Sequence, residues 1–422
     1  MSRSGSRDCP PDETRQAVRR VLMLAHRVPY PPDRGDRIRG YHLLRELARH
    51  FEVSLACLTH EPVTAAQQAR LQELTTRLAI QPMGWWRPRS QALAALLTGQ
   101  AITPNWFYSP ALARTLEQWH QDQPFDAVLT YCTGMIRYAR ELTADESIRH
   151  VLDLVDVDSR KWAAYARTSH GPLRWVYALE AHRLRRIEAA EHDRIDALTI
   201  ISEAEAKTYR DVVSSRLQPR VVGNGVDLDY FHPQPQEQSD GRTILFVGML
   251  DYKPNVDGIV WFAREVMPRL RLGGVPEAQL RIVGRNPSAP VRQLGAQAWV
   301  EVVGPVEDVR PHLAQATAVV APLLIAPGVQ NKVLEAMASA RAVVCSPQAA
   351  AGIDAQHEQH LLVASQPEHY AQYLARLLRE AAYRQQLAQA ARQRMEERYA
   401  WSRMLAPMIA LLRDEPVEDS DR

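Results

Sequence analysis

Cysteine is scarce: four residues, Cys9, Cys57, Cys132 and Cys345, are spread over 422 positions with no C-x-x-C pair. Such spacing supplies neither a disulfide framework nor a zinc site, and it fits a reduced, cytoplasmic setting. Net charge is also nearly absent, with 51 basic residues against 49 acidic ones. A general polyanion binder is therefore not expected, and no nucleic-acid motif is present. Long apolar runs are missing too. The longest, Thr317 to Ala326, is about half of what a bilayer-crossing helix needs. The first twenty residues are polar and Arg-rich, without an apolar core of signal-peptide length. A soluble chain is expected, or one that lies on the inner face of a membrane.

What is present is a regular alternation of strand-like and helix-like segments. Arg20 to Ala25, Phe51 to Cys57, Asp126 to Thr130, His150 to Leu154 and Ala197 to Ile201 are short apolar runs separated by stretches with helical spacing. Ser202-Glu-Ala-Glu205 is a capping-box start. The pattern stops at the Pro- and Gln-rich stretch Phe231 to Gly241 and then restarts from Thr243. The predicted fold is α/β, with two doubly wound Rossmann-like domains facing a cleft. The predicted boundaries are a disordered tail over 1–20, a first Rossmann-like domain over 21–231 and a linker over 232–241. A second Rossmann-like domain over 242–400 follows. A C-terminal helix expected to pack back on the first domain, and then a polar tail, occupy 401–422.

Four strand-to-helix loops can carry chemistry. In the first, Ala25 to Arg39, Gly35 admits close backbone approach, Asp33 and Asp36 can take a proton, and Arg34 and Arg37 can hold an anion. A capped turn stiffened by prolines explains the same residues equally well. In the second, Leu245 to Asp257, Gly248 opens the backbone and Lys253 lies within reach of a diphosphate. In the third, Ile282 to Pro287, Arg285 can pair with phosphate, although an ordinary Asn-Pro turn is an equal reading. The fourth, Pro322 to Met337, is the strongest. A Pro-Gly turn leads into a helix predicted to begin near Val329, so the free amides of Gly328, Val329, Gln330 and Asn331 can cradle a diphosphate. Lys332 adds charge in the first turn, and Glu335 stands one turn on, placed for the vicinal hydroxyls of a ribose. The competing explanation is a surface ion pair between Lys332 and Glu335. Three acids between Asp153 and Asp158 suggest a metal site, but helix-capping carboxylates explain them better, and no metal is expected. A basic, aromatic-bearing stretch from Lys161 to Arg194 can rest on an anionic membrane or form a solvated helix face.

Taken in order, His26 to Arg39, Asp153 to Trp162, Gly223-Asn-Gly-Val-Asp227, Asp251 to Asp257 and Gly328 to Met337 resemble the GT-B-fold glycosyltransferases of family 4. The resemblance is closest to the sugar transferases associated with exosortase (PEP-CTERM) and exopolysaccharide gene clusters, and it runs from about Val21 to Arg413. It implies a nucleotide-diphosphate sugar held by the second domain and a saccharide or lipid-linked acceptor held by the first. It also implies retention at the anomeric carbon, no metal, and no cofactor beyond the donor itself. Asp36, Lys253 and Lys332 take the catalytic positions under this resemblance. Two positions depart from the family pattern. Pro327 replaces the first Glu of a Glu-x7-Glu pair whose second member is Glu335, and Met249 stands where an Arg often follows the glycine. A nucleotide-sugar epimerase and a non-catalytic binding subunit are the alternatives.

Overall fold

The computed structural model describes residues 19–143, 147–214, 216–234, 239–325 and 328–417. Cys9 and the expected tail up to residue 18 lie outside these, as do residues 235–238 of the expected linker, Pro327 and residues 418–422.

Each half of the chain forms one wholly parallel sheet. The first orders its strands β3-β2-β1-β4-β5-β6-β7. These are β1 (Arg20–Ala25), β2 (Glu52–Thr59), β3 (Arg77–Pro82), β4 (Ala127–Tyr131), β5 (Arg149–Val155), β6 (Ala197–Ile200) and β7 (Arg220–Val221). The second orders them β10-β9-β8-β11-β12-β13, namely β8 (Thr243–Val247), β9 (Gln279–Val283), β10 (Val300–Gly304), β11 (Ala318–Ala321), β12 (Ala342–Cys345) and β13 (Leu362–Val363). The central strands are apolar on both faces because helices cover both: β1, β4, β11 and β12 have almost no exposed residue. β1 and β8 occupy the residues predicted from sequence. β3 escapes sequence reading because it is a half-buried edge strand containing Arg77, Gln81 and Pro82, without the apolar alternation that marks a strand.

The helical spacing of the sequence predicts a single helix over Val256 to Leu270. The structure has a helix Lys253–Trp261, a π turn Phe262–Val266 and a helix Met267–Leu272. Pro268 has no N–H to donate, and the wider turn ahead of it accommodates its ring.

The helix Trp401–Arg413 crosses to the first domain, where it packs on the helix Gly35–His50 and on β5, and Trp401, Leu405, Met408 and Leu412 join the core that contains Val21 and Met23 of β1. The chain therefore passes between the domains twice, and the two passages touch. A Cβ on Gly225 would stand 2.7 Å from the Tyr399 carbonyl oxygen and 2.9 Å from Trp401 Cα, so only glycine fits there. One buried side chain ties this crossing to the first domain. Arg39, on the helix Gly35–His50, donates through Nε and Nη2 to Asp153 of β5 at 2.9 and 3.2 Å. Its Nη1 donates at 3.2 Å both to the Gly223 carbonyl and to Asn224 Oδ1.

Candidate active site

In each sheet the strand order reverses beside its first strand, between β1 and β4 and between β8 and β11. Loops leave in opposite directions at such a reversal and open a crevice at the strands' carboxyl ends. The loops His26–Arg34 and Cys132–Gly134 border the first crevice. Gly248 and the residues 322–325 and 328–330 border the second. Between the domains lies a cavity of about 1570 Å³ lined among others by Asp156, Lys161, Tyr165, Asn224, Tyr252 and Gly328.

On the second domain, Gly328 has φ +70° and no atom within 4 Å of a built Cβ, so it turns the chain beside open space. The following helix spans Asn331–Ala338, opening two residues later than the sequence suggested, with Gln330 as an N-cap that makes no side-chain cap. Its first amides are therefore free to meet an anion. Val329 is half-buried against the core and lines the cavity beside Gly328. Gln330 Nε2 donates to the Gly328 carbonyl at 3.3 Å, and Asn331 Oδ1 is buried with no partner among the described residues.

Lys332 turns inward. Its Nζ donates to Asn255 Oδ1 at 2.6 Å and lies 4.9 Å from the Phe246 ring centre. A Cβ on Gly248 would come within 2.9 Å of that Nζ and of Asn255 Nδ2, so glycine is what lets the ammonium reach the loop after β8. A second glycine makes room for Gly248 itself: a Cβ on Gly284 would lie 1.7 Å from the Gly248 carbonyl oxygen. Burial lowers the Lys332 pKa to about 8, against an opposing pull from Glu335. Burial raises the Glu335 pKa to about 7, against the pull of Lys332. The Glu335 side chain has no hydrogen bond or ion pair among the described residues. The surface ion pair that competes with the functional explanation is thus not formed. A neutral amide holds the lysine, and the carboxylate is left without a donor.

Lys253 is the first residue of its helix, 82% exposed, with Nζ 2.6 Å from Asp257 Oδ2. Such an exposed i,i+4 pair is worth about 0.3–0.5 kcal/mol, so it restrains the lysine little. Arg285 reaches across the cleft, where its Nη1 lies 3.1 Å from Asp33 Oδ2, and Asp33 also pairs with Arg37 at 3.3 Å. The two arms of this clasp come from loops that the sequence singled out separately.

On the first domain, Gly35 opens the helix Gly35–His50 with no atom within 4 Å of a built Cβ. The Asp36 carboxylate is paired with Arg27 and Arg34 at 3.3 and 3.2 Å. Beside it His26 stacks on Tyr131, with ring centres 5.7 Å apart, and burial lowers its pKa to about 4, so the ring is neutral. Cys132 and Val155, the residues at the ends of β4 and β5, have φ of 72° and 66°. Positive φ at a β-branched valine is costly, and it persists where the surroundings force the chain into a particular turn. Just past this turn Asp156 lines the cavity, whereas Thr133 is buried and Asp158 begins the helix Asp158–Thr168. Asp153, grouped with those acids by sequence, is instead fully buried against Arg39 and Thr199. Among the described residues no group of three or more His, Cys, Asp or Glu could hold a metal ion.

Sequence reading missed Asn255, Cys132 and Lys161. One signal was available for the last: only four of the 51 basic residues are lysines. Lys253 and Lys332 open helices on the second domain, and Lys161 lines the cavity.

Solved structures share this architecture along nearly the whole chain. Sucrose-phosphate synthase from Thermosynechococcus elongatus matches at TM-score 0.67 and 17% identity, covering 94% of this chain and 99% of that one. HepE of Anabaena, solved in complex with UDP and glucose, matches at 0.63 and 12%, covering 94% and 100%. WaaG, described as a glycosyltransferase involved in lipopolysaccharide biosynthesis, matches at 0.61 and 15%, covering 92% and 99%. Two parallel-sheet domains with these neighbours define the GT-B fold. Residues 241–380, nearly the whole second domain, match the family model described as "Glycosyl transferases group 1". With that domain in a GT-B fold the chain is a glycosyltransferase enzyme. No curated protein matches the sequence.

Proposed function

We propose that the enzyme moves a sugar from a nucleotide-diphosphate sugar to an acceptor hydroxyl, with retention at the anomeric carbon and without a metal ion or any cofactor beyond the donor. The observation that carries this reading is the inward Lys332 beside Gly248, with Glu335 unpartnered one helical turn away. The anomeric carbon bonds to the acceptor oxygen as its bond to the diphosphate oxygen breaks. Lys332 and the amides from Gly328 to Asn331 stabilise the charge that gathers on the diphosphate, where a low-dielectric site makes each donor count. Lys253 joins them by leaving Asp257. Glu335 accepts from the ribose hydroxyls. Gly35 and Asp36 face the meeting point of the two substrates, and Asp36 takes the acceptor's proton. Closure along the Asp33–Arg285 contact excludes water and limits donor hydrolysis.

The acceptor is a saccharide or a lipid-linked saccharide in exopolysaccharide synthesis, of the kind coupled to exosortase systems, met in the cytoplasm at the inner membrane face. That part rests on the sequence resemblance. UDP and sugar in the HepE structure make uridine diphosphate sugars the first donors to test. In a thermal-shift panel of nucleotide diphosphates and nucleotide sugars, the right donor at about 100 times its Kd should raise the midpoint by about 5–10 °C. No shift with any of them sinks the reading.

Glu335 also gives a pH signature. Its folded pKa lies above the unfolded one, so between pH 4.5 and about 7 the native state binds more protons and loses stability as the pH rises. Removing the charge should reverse that loss. Glu335→Gln without donor should melt above the parent at pH 8 and level with it at pH 4, while its donor affinity falls. Equal melting of the two proteins at both pH values contradicts the assignment of a strained, unpartnered carboxylate.

A further inference from the structure

Sixteen large apolar side chains stand exposed among the described residues, and half of them fall within 85–97 and 165–179 of the first domain. On the helix Trp86–Leu97, Pro88 and Ala95 are buried. Trp86, Leu93 and Leu97, at i, i+7 and i+11, are 78%, 59% and 78% exposed. The helix thus carries a second apolar stripe, and that one faces solvent. The helix Pro172–Ala190 exposes Leu173, Trp175 and Leu179. Side chains join the two helices: Arg183 donates to the carbonyls of Ala95 and Gln100 at 3.3 and 2.7 Å.

The charge carried by these two stretches has one sign. No Asp or Glu occurs between Leu74 and Leu116, nor between Ser159 and Leu179, whereas Arg87, Arg89, Arg167 and Arg174 do. Arg89 lies 3.6 Å over the Trp85 ring, which leaves an indole and a guanidinium side by side at the surface. Tryptophan and leucine flanked along the chain by arginine suit the boundary of an anionic bilayer, where rings sit at headgroup depth and cations meet lipid charge. A second copy of the chain fits poorly, because docking would bring the same cations face to face. The face also borders the cleft. Tyr165, 45% exposed, lines the cavity, and it stands 6.2 Å from Tyr177 of the second of these helices.

We propose that this two-helix face docks on an anionic lipid bilayer and holds the acceptor side of the cleft at headgroup level. The reading of the cleft as a transferase site gives this docking its purpose, but the two can fail separately. The test is co-sedimentation of the full chain with phosphatidylcholine vesicles, with and without phosphatidylglycerol, alongside the donor thermal shift on the same proteins. The parent should sediment only with the anionic vesicles, and less as salt is raised. Trp86→Ser/Trp175→Ser should abolish sedimentation, and Arg87→Gln/Arg89→Gln/Arg174→Gln should weaken it about 100-fold, both with the parent's melting behaviour and donor shift. A parent that ignores anionic vesicles, or variants that sediment like it, overturns the proposal. So does a lipid-free dimer that the tryptophan substitutions dissolve. Sedimentation as expected with no donor shift leaves the docking face standing and removes the transferase reading instead.

Discussion

Lys332→Ala is expected to slow sugar transfer by about 10²–10³-fold, the cost typical of removing one preorganised charge stabiliser. The ammonium is held before any donor arrives by a 2.6 Å hydrogen bond to Asn255 and by the Phe246 ring. Little of its orientation therefore has to be settled during the reaction. Burial lowers its pKa to about 8, so the charge is an unfavourable one in the free enzyme and is lost as the pH rises through that value. Under the proposed function a diphosphate supplies the missing counter-charge. The variant should consequently keep its fold and melt no lower than the parent without donor, while the donor-induced thermal shift collapses. Lys332→Arg should not rescue it, because a planar guanidinium cannot occupy the space beside Gly248 that fits a compact ammonium. Steady-state transfer assays above pH 9 provide an independent check, since the parent should there approach the activity of Lys332→Ala. Near-parental rates in Lys332→Ala at neutral pH would overturn the assignment.

The largest expected effect on stability lies away from the chemistry. Arg39→Met leaves Asp153, which is 0% exposed, as a buried charge with only Thr199 to answer it. Breaking a buried pair in this way costs about 3–5 kcal/mol. In the folded protein burial works against the Arg39 charge, but Asp153 more than offsets it and raises the pKa. The loss reaches further than one pair, because the same guanidinium fixes Gly223 and Asn224 at the interdomain crossing. Urea denaturation should show the midpoint falling sharply for Arg39→Met and recovering for Arg39→Met/Asp153→Leu, in which no buried charge remains. Equal destabilisation of the single and double variants would mean that the contacts to the crossing, and not the charge, dominate.

The strand-to-helix rhythm placed β1 and β8 on the right residues, because buried parallel strands are apolar on both faces and stand out against amphipathic helices. It failed at β3, β7 and β13, where an edge position or a two-residue length removes that contrast. At the candidate site, spacing alone put Lys332 and Glu335 one turn apart at a helix start, which periodicity can specify. It could not show that Asn255, far off in sequence, turns the lysine inward. Nor could it show that Asp153 belongs to the core while its neighbour Asp156 lines the cavity, with the chain turning between them at the positive φ of Val155. The clasp between Asp33 and Arg285 was equally out of reach: each residue was legible as a loop charge, but only the approach of two separately folded domains pairs them.

By itself the sequence determined the two α/β domains, the order of their loops and the Gly328–Glu335 segment, because each depends on contacts within a few residues along the chain. Tertiary structure alone decided which charges are buried, paired or left open, because those states are set by what packs against a side chain from elsewhere. That is why one lysine of the candidate site, Lys332, lies inward without an ion-pair partner among the described residues while another, Lys253, rests on Asp257 in solvent.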